Sequence, residues 1–145
     1  MRFLTFILFL LLSKGLQGQT ALHWSDLSAG ISWELPSSEM VFAGFQTATF
    51  SPEMKALEGN QVVIIGYLLV LDGNQSVFLL SKNPMASCFF CGNGGPETIV
   101  DLKFSEKPSF KMDELLSVTG TLYLNENNPN ASYYRIENAS ATSFE

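Results

Sequence analysis

Five short β-branched or apolar runs, internal glycines in two of them, and little helical periodicity predict a mainly β fold. The architecture that best fits is a small five-stranded barrel of the oligonucleotide/oligosaccharide-binding (OB) type, with one or two short helices. A small β-sandwich is the alternative. Short strands with bends and no alternating helices favour such a barrel over a parallel sheet.

From Gln19 to Glu34, Trp24, Leu27 and Ile31 recur at helical spacing, which predicts a short helix or turn before Pro36 breaks the pattern. Met40 to Phe50 reads as an irregular strand, weakened by Gly44. "SPEMKALEGN" reads as a helical turn, with Ser51 as N-cap, Pro52 at the first helical position and Gly59 as the stop. Gln61 to Leu71 is the clearest strand. The "DGN" at Asp72 to Asn74 and the apolar "QSVFLLS" after it make a β-hairpin. Gly66 inside that strand predicts a bulge or sharp bend of the kind barrels use at corners. A loop follows from about Lys82 to Pro96, then a strand over Thr98 to Phe104. "FKMDELL" is expected to form one helical turn. Ser117 to Leu124, with Gly120 inside it, and Tyr133 to Ala139 are the last two strands.

The chain has 145 residues, which suits one domain. Its start has the layout of a cleaved secretory leader: Arg2, the apolar run "FLTFILFLLL", then the small and polar "SKGLQG". Only eleven residues separate Arg2 from Lys14, against the roughly twenty that a membrane-spanning helix needs. Residues 1–18 are therefore expected to be a signal peptide and 19–145 a single OB-like domain, periplasmic or secreted, with no membrane span after cleavage. Losing Arg2 and Lys14 with the leader takes the net charge from −6 to −8. Such a surface repels phosphate backbones, so nucleic acid is not an expected partner.

The only two cysteines are Cys88 and Cys91, in "SCFFCGNGGPE". Gly92, Gly94, Gly95 and Pro96 rule out a long helix there, so the pair lies on a turn. Outside the cytosol, two thiols tend toward oxidation unless a metal or a reductase holds them. Three chemistries compete. A disulfide would close a very short loop and contribute only about 2 kcal/mol. Thiol redox catalysis needs a helix N-terminus or a nearby cation, and the nearest one in sequence is Lys82. Metal binding draws on two thiolates as half of a tetrahedral zinc site. The one histidine, His23, is far off in sequence, whereas Glu97 and Asp101 are nearer. Met85, Cys88 and Cys91 recur at intervals of three, and a thioether with two thiolates is a soft set that favours Cu(I). The expected metal-site residues are therefore Cys88 and Cys91, helped by Met85 and Glu97, for zinc or copper. Of Phe89 and Phe90, one is expected to be exposed. No catalytic constellation is visible, so an enzyme is not predicted. One His among many Ser carries no triad, and "GNGGPE" is followed by no Lys-Ser/Thr pair.

Residues Gly59 to Leu102 resemble an uncharacterised family of small exported bacterial proteins, periplasmic or lipoprotein. The resemblance rests on Gly66-Tyr67, Phe78-Leu79, Pro84 and the "CxFCG" of Cys88 to Gly92, with "WSDL" (Trp24 to Leu27) and "VTGTLYLN" (Val118 to Asn125) in support. It implies an OB-like barrel, export, and a loose association with metal-responsive transport. The chain departs from the lipoprotein pattern in having no cysteine at the cleavage point, and it has Val70 where the family often has proline. The sequence thus predicts an exported binding protein with a thiolate metal site. The alternatives are a disulfide-capped module that docks an exported protein and a thiol-redox accessory.

Overall fold

A computed structural model describes residues 18–34, 46–74, 76–88 and 91–144. The expected leader (all but Gly18), residues 40–45 of the first expected strand, and Phe89 with Phe90 lie outside the described residues.

Alternation of side chains builds the barrel wall. Strand β4 (Gln61–Val70) buries Val62, Ile64 and Leu68 on one face, the period-two pattern of a strand with one face on a core. It pairs antiparallel with β5 (Phe78–Ser81), which pairs antiparallel with β6 (Ile99–Phe104). β6 runs parallel to β8 (Tyr134–Ser143), and β8 antiparallel to β7 (Leu115–Leu124). β7 returns to β4 over Gln61↔Thr121 to Tyr67↔Leu115 and closes the ring. The closure makes this a five-stranded barrel rather than two packed sheets. A two-residue strand, β1 (Thr20–Ala21), adds parallel to β4 at Val62 and Val63. A separate ribbon joins β2 (Ile31–Trp33) to β3 (Ala48–Phe50).

Two six-residue helices pack on the barrel. In α1 (Trp24–Ala29) the His23 N–H donates to Asp26 Oδ2 at 2.8 Å, and Leu27 is fully buried. The Tyr134 hydroxyl donates to the Leu27 carbonyl at 2.7 Å, tying the helix to β8. Helix α2 (Pro52–Leu57) starts as its sequence predicts: Pro52 opens it, and Ser51 accepts from the Met54 N–H at 3.2 Å. Gly59, at φ +78°, follows it and donates to the Leu122 carbonyl.

Two expectations need correction. Gly66 forms no bulge, because the register with β7 runs unbroken through Gly66↔Leu116. The glycine is there for close approach. A Cβ would lie 2.7 Å from the Ser81 carbonyl oxygen and 2.8 Å from Trp24 Cζ2, while the Trp24 indole N–H donates to the Ile65 carbonyl. The bulge opposite a glycine falls instead on β8, where Asn138 takes φ +50° across from Gly120. Nor does "FKMDELL" form a helical turn. Met112 and Asp113 make a tight turn with Asp113 at φ +63°, and β7 begins at Leu115. Its backbone is drawn to the barrel instead, with the Asp113 N–H donating to the Leu68 carbonyl at 2.8 Å.

Candidate functional site

The link from β5 to β6, residues 82–98, is too long for a tight hairpin, and its Met85 and Cys88 pack on the outer barrel face. Among its described residues, Met85–Ser87 and Pro96–Thr98 form 3-10 turns. The first is anchored by the Asp113 carboxylate, which accepts the Met85 N–H at 2.7 Å. The Cys91 N–H donates to the Cys88 carbonyl at 3.0 Å, so the cysteines bracket one turn, as their sequence context predicts. Gly92 and Gly94 follow at φ +83° and +85°, conformations that favour glycine.

The two thiols are free and differ in setting: Cys88 is fully buried and Cys91 is exposed. Cys88 packs with Leu69, Leu79 and Ile99, with Met85 against the cluster. These are the outward residues of β4, β5 and β6, so the cluster is a small second core outside the barrel. Met85 touches both cysteines. Its sulfur lies 3.9 Å from Cys88 Sγ, and its carbonyl accepts from the Cys91 thiol at 3.2 Å.

Glu97 is not gathered with these residues. Its carboxylate lies over Gly95, where a Cβ would sit 2.1 Å from Oε2, and its turn packs against α1. Burial, and to a lesser degree the Glu97 charge, pushes the Tyr134 hydroxyl far above the ordinary tyrosine range. Among the described residues no three of His, Cys, Asp and Glu converge as a ligand set. His23 stands before α1, and Asp101 pairs with Lys103 Nζ at 3.1 Å.

Beside the thiol loop lies a cleft of about 450 Å³, within the size range of ligand sites. Leu79 and Ile99 belong to its lining, and Pro96 of the thiol loop forms part of one wall. Leu71 and Val77, both well exposed, come from the β4–β5 hairpin, the ion pair Asp101–Lys103 from β6, and residues 129–133 from the β7–β8 loop. Tyr133 is braced from behind: its hydroxyl donates to the Gln46 carbonyl, and Trp33 meets its ring edge-on at 4.6 Å. OB barrels present their second and third strands, with the first and fourth loops, at this position. Sequence reading missed this cleft. Its one local signal is the outward alternation of Leu79 and of Ile99, Asp101 and Lys103 along their strands.

No family model matches the sequence, and no curated protein matches it. Among solved structures, the crystal structure of a DUF3299 family protein from Pseudomonas aeruginosa PAO1 is similar, with a TM-score of 0.56 and 21% identity. The match covers 88% of this chain and 97% of that one. At this identity the likeness bears on the fold, which it supports along nearly the whole of both chains. That family is designated by a number rather than an activity, consistent with a resemblance to an uncharacterised family. The neighbour's designation names no activity.

Proposed function

We propose that this chain is an exported small binding protein whose Met85–Cys88–Cys91 turn holds a soft metal ion, Cu(I) in preference to Zn(II). The observation that carries the reading is that Met85 contacts both cysteines while no further His, Asp or Glu joins them among the described residues. Structural zinc wants four ligands. Two thiolates and a thioether form a soft set suited to Cu(I). Cys88 supplies a ligand from an apolar, water-poor pocket, and Cys91 stands at the surface where an ion is taken up or passed on. Both thiols lose their protons on binding, so affinity rises with pH.

The test is an anaerobic titration of the reduced protein with Cu(I) against a chromophoric Cu(I) chelator. One ion is retained per chain, Cys91→Ser abolishes retention, Met85→Leu weakens it, and added zinc does not compete. Reduced wild-type protein that yields all its copper to the chelator would refute the reading.

The cleft favours a second reading, an interaction module that docks an exported partner through Leu71, Val77 and the outer face of β5 and β6. The native mass of protein purified without reductant or chelator separates the two. An added metal ion supports the first reading. A loss of two hydrogens, from a Cys88–Cys91 disulfide, supports the second. The same spectrum tests export, since a processed chain begins at Gln19.

A further inference from the structure

Leu79 and Ile99 serve two neighbours on the outer barrel face. They pack with Cys88 in the second core, and they line the cleft. Pro96, on the same loop as both cysteines, forms part of a cleft wall. One segment therefore holds the thiols and shapes the cleft. We propose that Cys88 and Cys91 form a redox switch that alters this cleft when a low-molecular-weight disulfide oxidises them. The switch goes beyond the metal reading and operates in the metal-free chain.

The exchange balances as follows. Exposed Cys91 gives up its proton and attacks one sulfur of the small disulfide. The reagent's S–S bond breaks, one small thiolate leaves and takes up a proton, and Cys91 is held as a mixed disulfide. Cys88 then loses its proton and attacks Cys91 Sγ, and the second small thiol leaves. Two protein thiols and one small disulfide become one protein disulfide and two small thiols, with two electrons passing to the reagent. Cys91 is thus the attacking residue and buried Cys88 the resolving one.

Geometry makes the cleft respond. A disulfide needs its sulfurs about 2.05 Å apart. In the reduced chain the two thiols are unbridged: Cys88 is fully buried against Leu79 and Ile99, whereas Cys91 is an exposed residue whose thiol donates to the Met85 carbonyl. Bridging moves one of them. If Cys88 comes out, it leaves Leu79 and Ile99 without their cover. If Cys91 goes in, it draws on the glycine-rich segment that ends at Pro96. With Met85 anchored on Asp113, the movement falls on Cys88 and on residues 91–96. Gly92 and Gly94 supply its backbone freedom.

The experiment uses methyl-labelled protein in a metal chelator, so that its result is independent of copper binding. The reduced chain is equilibrated with oxidised glutathione and followed by intact mass and by methyl NMR. The mass falls by two hydrogens, and the methyl resonances of Leu79 and Ile99 shift. Those of Leu116 and Leu122, in β7, stay in place. Dithiothreitol reverses both changes, and Cys91→Ser shows neither. A disulfide that forms while Leu79 and Ile99 keep their positions overturns the proposal, because the cleft is then indifferent to the thiols. A chain that keeps its reduced mass, or stops at the mixed disulfide, overturns it equally.

Discussion

The inner and outer faces of β5 and β6 are made by alternate residues of the same two strands, yet they are held in different ways. Inward, Leu80, Val100 and Leu102 meet Leu68, Leu122 and Ile136 in a core closed by all five barrel strands and plugged by helices. Outward, among the described residues, Leu79 and Ile99 pack with Leu69 and with the turn carrying Met85 and Cys88, and a cleft is open alongside. Both faces bury apolar residues, although the outer one also carries the Asp101–Lys103 ion pair further along β6. The difference lies in how many elements cover each. One face is sealed and carries stability. The other is covered by a segment rich in glycine, with an open cleft beside it.

That contrast breaks most visibly under truncation. Leu80→Ala leaves a sealed cavity and costs about 2–5 kcal/mol in urea unfolding. Leu79→Ala costs less, about 1.5–3 kcal/mol, because its void opens on the cleft and water enters, leaving mainly the transfer loss. Equal costs for the two would remove the distinction. Gly66→Ala tests the seal from another side. The added methyl strikes the Ser81 carbonyl and the Trp24 ring, at a cost of about 1–3 kcal/mol and with a changed tryptophan emission spectrum.

Tyr134→Phe removes the bond to the Leu27 carbonyl and costs about 1 kcal/mol near neutrality. Its pH signature is sharper. The folded phenol is raised above its unfolded value, chiefly by burial. Its contribution is therefore complete below about pH 10 and is lost as pH rises toward the folded value. Tyr133, raised by burial as well, acts in the same direction. The wild-type melting temperature should hold steady up to about pH 10 and fall beyond it, with a shallower fall in Tyr134→Phe. The smallest effect is expected at the surface: Cys91→Ser changes stability by no more than about 0.5 kcal/mol. Cys88→Ser, which buries a hydroxyl among Leu69, Leu79 and Ile99, costs about 1–3 kcal/mol in the same assay.

Local chemistry explains what was legible in the sequence. The Ser51-Pro52 start of α2, the hairpin around Asp72 and Gly73, and the turn between the cysteines are each determined by a few adjacent residues. The strands were legible because period-two burial is written along them. The rest depends on partners distant in sequence. β1 is two residues whose pairing with Val62 and Val63 has no local signal. The segment around Asp113 has helix-forming composition, but its backbone bonds to Leu68 and its carboxylate to Met85. Gly66 announced an irregularity without saying that a tryptophan would lie against it. At the site, the Met85–Cys88–Cys91 grouping could be read from spacing. Glu97 could not be excluded that way, since proximity in sequence does not show that a turn directs it toward Tyr134. The cleft was hidden because four separated segments build it.

The placement of the two tryptophans gives the chain an optical gauge of its own. Trp24 is seated against Gly66 with its indole N–H bonded to Ile65, an environment fixed by the barrel. Trp33 stands edge-on to Tyr133, which itself lines the cleft. Emission from Trp24 is thus a steady internal reference, and emission from Trp33 follows whatever enters or reshapes the cleft. A Trp24→Phe chain would leave a single fluorophore one ring away from the cleft, so that ligands, oxidants and metal ions can be screened without attaching a dye.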